Sequence, residues 1–318
     1  MTNHLSIGTA VLLMSANFAD AESSSAMTSL LAKTFDLAGK HTAAPQFFVM
    51  ESKLIMYALD GKRTGTDIYR LRLKCIPAPA GKDGDGDECT CVRFTWQPHG
   101  GAEAAIPALT NWTYVFKAPA KDEKGQVLGI DHSKFESIVD STGKALPPDK
   151  AYHVYNAFID FHTFCNVFAE RADPGRGIQD LKKIGDRIVH AAAFSEPPVN
   201  LGSQVLAGSF FKNGEITLKF KGLSQINGKS CALIEYDSGE SSFKMLMKLM
   251  PELDIQTVGS SHYFGDVYKD LAGGWVQKAT MTEIVVSETT LPMPPNKVNT
   301  VIERLIEIRN VNQKEFEL

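Results

Sequence analysis

Apolar and polar residues alternate with a period of two over several stretches of this chain. Tyr69, Leu71, Leu73 and Cys75 interleave with Arg70, Arg72 and Lys74, and Leu218 and Phe220 interleave with Lys219 and Lys221. Successive side chains of a strand point to opposite faces, so such segments bury one face and wet the other. The pattern predicts strands at Leu54 to Leu59, Ile68 to Cys75, Cys91 to Trp96 and Thr113 to Lys117. In the second half it predicts Glu215 to Lys221 and Ser230 to Asp237 around an Asn227-Gly228 turn, then Ser261 to Lys269 and Trp275 to Glu288 around Asp270 to Gly274. Val298 to Val311 fits a helix by its Val301, Leu305 and Ile308 spacing, but its β-branched residues favour a last strand.

Three segments carry helical spacing instead. Ser23 to Lys40 places Ala26, Met27, Leu30, Leu31 and Leu37 near one stripe, with Gly39 as a stop. After Leu146-Pro147-Pro148-Asp149 comes a segment with Tyr152, Tyr155, Phe158, Phe161, Phe164 and Phe168. Its apolar residues nearly encircle the helix, which predicts burial by the rest of the fold. A narrow polar stripe of His153, Asn156, Asp160 and Thr163 remains. Ile178 to Ala193 fits another helix, with Leu181, Ile184, Ile188 and Val189 on its apolar side. The expected fold class is α+β and β-rich: a strongly curved antiparallel sheet, a half-barrel or open barrel, enclosing one or two helices. The expected organisation is one domain over 22–318, with a helical insert at about 149–193.

Composition narrows the function classes. A hydrophobic fraction of 43% with 22% charged residues describes a folded globular chain. The net charge of −4 and the lack of Lys/Arg runs argue against nucleic acid and anionic membrane surfaces as partners. Leu5 to Ala16 followed by Ala19-Asp20-Ala21 fits a signal peptide over residues 1–21, which implies a periplasmic or secreted protein. The alternative is a frayed start that leads into the first helix. No other stretch is apolar for 18 residues, so no transmembrane segment is expected, and the mature protein is expected to be monomeric.

Five cysteines leave at least one thiol outside any intramolecular pairing. Cys75 lies on one strand, and Cys89 and Cys91 on the next. A cross-strand bridge and five small apolar fillers are both open readings. Asp83, Asp85 and Asp87 alternate as in a calcium loop, but neither the central Gly nor the closing Glu follows, so a solvated hairpin loop is expected. No zinc, P-loop, dinucleotide or nucleophile-elbow motif occurs, and neither a metal nor a cofactor is expected.

The run Tyr263 to Lys278 ends one strand in Asp270-Leu271, turns through Gly273-Gly274 and returns along Trp275-Val276. It resembles hairpins of exported bacterial proteins of the outer-membrane lipoprotein-carrier type, over roughly Ser209 to Val311. That resemblance implies a half-barrel whose concave face takes up an acyl chain or other apolar ligand, with no catalytic residues.

Three functional readings follow. The first is a non-enzymatic binding or carrier protein for an apolar or amphipathic small molecule, lined by Tyr155, Phe158, Phe161, Phe164 and Trp275. The same five residues serve equally as solid core. The second is a hydrolase or lyase in which His153, Asp160 and His162, with His262 from a late strand, act as general acid and base. The third is a structural or interaction protein without a pocket.

Overall fold

A computed structural model of the protein describes residues 29–78, 86–116, 130, 132–135, 138–197, 199, 205–250 and 253–317. The segment expected to be a signal peptide lies outside them. The described chain is β-rich. Strands β1 (Gln46–Tyr57), β2 (Arg63–Pro77), β3 (Asp87–Gln97), β4 (Ala104–Ala105) and β5 (Trp112–Phe116) come first. Helix α1 (Pro148–His162) follows, and then β6 (Arg187–Val189), β7 (Phe210–Lys212), β8 (Thr217–Ile226), β9 (Lys229–Asp237) and β10 (Ser241–Met250). The last elements are β11 (Leu253–Asp270), β12 (Val276–Thr290), β13 (Lys297–Val311) and the short α2 (Gln313–Glu317).

All described strands join one antiparallel sheet in the order β4-β3-β2-β1-β13-β12-β11-β9-β8-β6, with β5 beside β3, β10 beside β11, and β7 beside β10. The first and last strands join through the central pair: Phe47 of β1 lies opposite Val311 of β13, and Tyr57 opposite Val301. Among the described residues β4 and β6 do not pair, so the sheet is not closed.

The alternating pattern decides which face is inner. Tyr69, Leu71, Leu73 and Cys75 are all buried, while Arg70 and Arg72 between them form outward contacts to Glu51 and to the Phe316 carbonyl. The inner face packs on α1 and on the turn of π-helix that extends it, Thr163–Val167. Val154, Phe158, Phe161, Phe164 and Phe168 are each at most 2% exposed, as expected for a helix apolar on nearly all sides. Strands far apart in the order reach them. Phe94 of β3 stacks on Phe158, Phe48 of β1 meets Phe161 edge-on, and Tyr236 of β9 stacks on Phe164. Gly265 of β11 makes room for Tyr236. A Cβ there would sit 1.9 Å from the Thr280 carbonyl oxygen and 2.8 Å from the Tyr236 hydroxyl, which donates to that same carbonyl.

Three expectations are corrected. Ile178 to Ala193 is not a helix; it is a 3-10 turn, Ile178–Asp180, and the strand β6. Gly185 adopts φ +98°, and the Asp186 carboxylate accepts from the backbone N–H groups of Lys182 and Lys183. The turn so formed delivers Ile188 and Val189 to pair with β8. Of Ser23 to Lys40, the described part is helical only over residues 29–32. Beyond it Phe35 bonds to the Lys182 carbonyl and is buried with Leu37, so burial of these two side chains displaces further helix. Asp87 is not in the expected solvated loop: it begins β3 and is buried, while Asp83 and Asp85 lie outside the described residues.

Candidate functional site

Two polar clusters interrupt the aromatic core around α1. The first gathers on Arg304, an inner-face residue of β13. Glu283 of β12 lies directly opposite, and Tyr263 of β11 opposite Glu283, so the three share one row. The Arg304 guanidinium donates to both carboxylate oxygens of Asp160, at 2.7 and 3.2 Å, and through Nε to Glu283 at 2.6 Å. The second oxygen of Glu283 accepts from the Ser261 hydroxyl at 2.5 Å. All three charged side chains are close to nine-tenths buried. Burial raises the Asp160 carboxyl to about 6; the Arg304 cation opposes that rise and the Glu283 charge adds to it. One cation between two buried carboxylates rigidly ties α1 to the sheet, and it leaves the guanidinium no free fork for a ligand.

The second cluster begins at His162, which is fully buried and stacked on Phe116 at 4.2 Å. Its hydrogen bonds fix its tautomer. Asn166 donates from its amide nitrogen to Asp87 (2.8 Å) and Glu170 (2.5 Å), so its oxygen is left to accept from His162 Nδ1–H at 2.8 Å. His162 Nε2 then accepts from the Tyr114 hydroxyl at 2.7 Å. Burial lowers the His162 pKa to about 4, which keeps the ring neutral. The chain of bonds continues through Asp87 to His41 Nδ1 at 3.1 Å, and His41 stacks on Trp275 with ring centroids 3.7 Å apart. Lys269 is buried beside this cluster and donates to the Ala169 carbonyl; burial lowers its pKa to about 8.

The four residues expected to act as acid and base do not meet through hydrogen bonds. Asp160 bonds to Arg304, and His162 bonds to Tyr114 and Asn166. His153 lies against Tyr69, with its pKa lowered to about 3 first by burial and then by Arg304. His262 is on the outer face, half exposed, and paired with Asp237 at 2.9 Å. The five expected lining residues lie together in the core. Phe158 touches Phe94, Trp112 and Phe135, and Tyr155 also meets Phe135. Phe161 meets Phe48, Phe164 meets Tyr236, and Trp275 also lies near Phe48.

The inner face continues beyond these contacts. Ser261 lies opposite Ser241 and Val285, and Val285 opposite Ile302. Directly opposed residues share a face, so Val285 and Ile302 stand on the inner face with Arg304 and Glu283. Two residues along β10 from Ser241 comes Phe243, opposite Phe211 of β7, followed by Met245 and Met247. Gly259 makes room for Phe243, whose ring would lie 2.7 Å from a Cβ at that position. Phe211, Phe243, Met245, Met247, Val285 and Ile302 are half-buried, unlike the sealed aromatics around α1. Tyr152, near the start of α1, is 36% exposed.

Sequence reasoning missed His41, Glu170 and Arg304, and placed Asp87 in a solvated loop. His41 and Asp87 are 46 positions apart, and no local spacing joins residues that meet only after strand pairing. Leu246 between Met245 and Met247 breaks the alternation that Lys244 and Lys248 would suggest, so the inward face of the thioethers follows from the register of β10 on β11 rather than from the sequence period. No protein-family model matches this sequence, and no curated protein matches it either.

Proposed function

We propose that the protein is a non-enzymatic carrier that binds an apolar or amphipathic small molecule on the inner face of its sheet beyond α1. The observation that carries this reading is the apolar surface of Phe211, Phe243, Met245, Met247, Val285 and Ile302, which is half-buried on the same face as the sealed core. Ligand sites are mostly apolar with a few placed polar groups. Here Tyr263, on the inner face next to Ser261 along β11, borders the apolar surface. Thioether side chains adapt to varied partners, which suits a flexible acyl chain. In this reading the sheet is a half-barrel, as the resemblance to lipoprotein carriers implies. Phe158, Phe161, Phe164, Tyr155 and Trp275 then form the floor under the ligand rather than its direct lining. Export to the periplasm or medium, with the monomer as the working form, belongs to the same proposal.

Titration with a fluorescent fatty acid tests it. Saturable binding is expected for the wild type. Val285→Asp and Ile302→Asp, which place charge on the apolar surface, are expected to abolish it without unfolding the protein. Absence of saturable binding by the wild type, or unchanged binding by both variants, would overturn the proposal.

A further inference from the structure

At the far end of the helical segment, His41, Asp87 and Glu170 converge, with one donor atom from each within 4.8 Å of the others. His41 comes from the segment before β1, Asp87 from the start of β3, and Glu170 from just beyond the π-helical turn. Asn166 donates to both carboxylates and holds them side by side. The His41 side chain is nine-tenths buried. Its Nδ1–H donates to Asp87, and its Nε2 faces Glu170 Oε1 at 3.6 Å with no hydrogen-bond partner among the described residues.

That separation discriminates between two ways of satisfying the ring. An imidazolium N–H bonded to a carboxylate sits at roughly 2.7–2.9 Å. Two donors that each lie about 2.0–2.2 Å from one tetrahedral ion are roughly 3.3–3.6 Å apart. A lone pair on Nε2 facing a carboxylate is repulsive without a cation between them. Stacking on Trp275 fixes the ring plane, and Asp87 orients the ring through Nδ1, the usual support of a metal-bound imidazole.

We infer that His41 Nε2 and Glu170 hold a divalent first-row transition ion, with Asp87 as the outer carboxylate that supports His41 through Nδ1. The protein donors are one imidazole and one carboxylate, types suited to Zn2+, Mn2+ or Co2+. The site lies away from the apolar surface of β10, β12 and β13, and it stands whether or not that surface binds a ligand.

Cobalt(II) titration of the chelator-treated full chain tests it, followed by calorimetry and visible absorption. Co2+ also distinguishes this site from the nearby thiols of Cys75, Cys89 and Cys165, because thiolate ligation adds an intense charge-transfer band. One saturable site without that band is expected. His41→Ala and Glu170→Gln are each expected to weaken it by more than about tenfold. Glu170 is half-buried, so Glu170→Gln keeps the test open if His41→Ala fails to fold. No saturable binding by the wild type, a thiolate band, or undiminished binding by Glu170→Gln would overturn the inference.

Discussion

Arg304 grips Asp160 through two hydrogen bonds, 2.7 and 3.2 Å long, and so ties the one long described helix to the last strand of the sheet. The same guanidinium holds Glu283, so its removal strands two buried carboxylates facing each other. Breaking one partner of a buried pair costs about 3–5 kcal/mol. Arg304→Met is expected to lose stability on that scale in urea denaturation at neutral pH. The deficit should shrink on acidification, as Asp160 takes up a proton without its cation. Adding Asp160→Asn should recover part of the loss. A deficit that does not change with pH would contradict this assignment.

Gly265 and Gly222 provide a matched pair. A Cβ at Gly265 meets backbone oxygen and the Tyr236 hydroxyl, whereas a Cβ at Gly222 meets nothing among the described residues within 4 Å. Gly265→Ala is expected to cost roughly 1–3 kcal/mol or more through overpacking, because Tyr236 must leave Phe164. Gly222→Ala should stay within about 0.5 kcal/mol of wild type. Thermal denaturation of both variants checks the difference.

The buried histidines set an acid limit. Burial lowers His153 to about 3, and His162 and His190 to about 4, from 6.5. Below pH 6.5 the unfolded chain binds protons that the folded chain refuses. Their stabilisation is therefore complete above 6.5 and is lost as pH falls towards 4. Asp160 works the other way: its raised carboxyl keeps a proton between 3.8 and about 6 that the unfolded chain releases, so it favours the fold towards acid. Three imidazoles outweigh one carboxyl, and stability is expected to fall over this range. His162 alone accounts for roughly 3 kcal/mol. His162→Gln should flatten the pH dependence of the urea midpoint; an unchanged slope would show that His162 is not the neutral, buried group described.

How much of this was legible in sequence depended on range. The strand through Tyr69 and Leu71 showed itself because one face is wet and basic, and the helix through Phe161 because its apolar residues leave only a narrow polar stripe. Asn227-Gly228 gave a turn, and both residues adopt positive φ, 51° and 78°. The segment through Leu181 and Ile184 misled because its helical spacing was real. Gly185 and the Asp186 carboxylate overrode it with a local turn whose hydrogen bonds no periodicity encodes. Arg304 carries no signal in the sequence, and Asp160 reads there as a general acid or base on a buried helix, because only strand register brings the two together.

The five cysteines give a further check. All are buried thiols, and Cys75 lies directly opposite Cys89 across β2 and β3. Burial raises every one of them, Cys231 to about 11 and Cys91 to about 12. Thiols held neutral and sealed are poor nucleophiles. No reaction with a thiol reagent is expected in the native protein, and five equivalents after unfolding without reductant. Three equivalents would show a disulfide, with Cys75 and Cys89 the pair best placed to form it.

Hydrogen exchange with and without a long-chain fatty acid tests the central claim most directly, because it reads the sealed core and the half-buried surface together. Amides of α1 around Phe158 and Phe161 are expected to exchange slowly in both conditions, while added fatty acid slows exchange in β10 and in the ends of β12 and β13 that carry Val285 and Ile302. Rapid exchange through α1 without ligand, or no ligand-dependent protection in those strands, would contradict it.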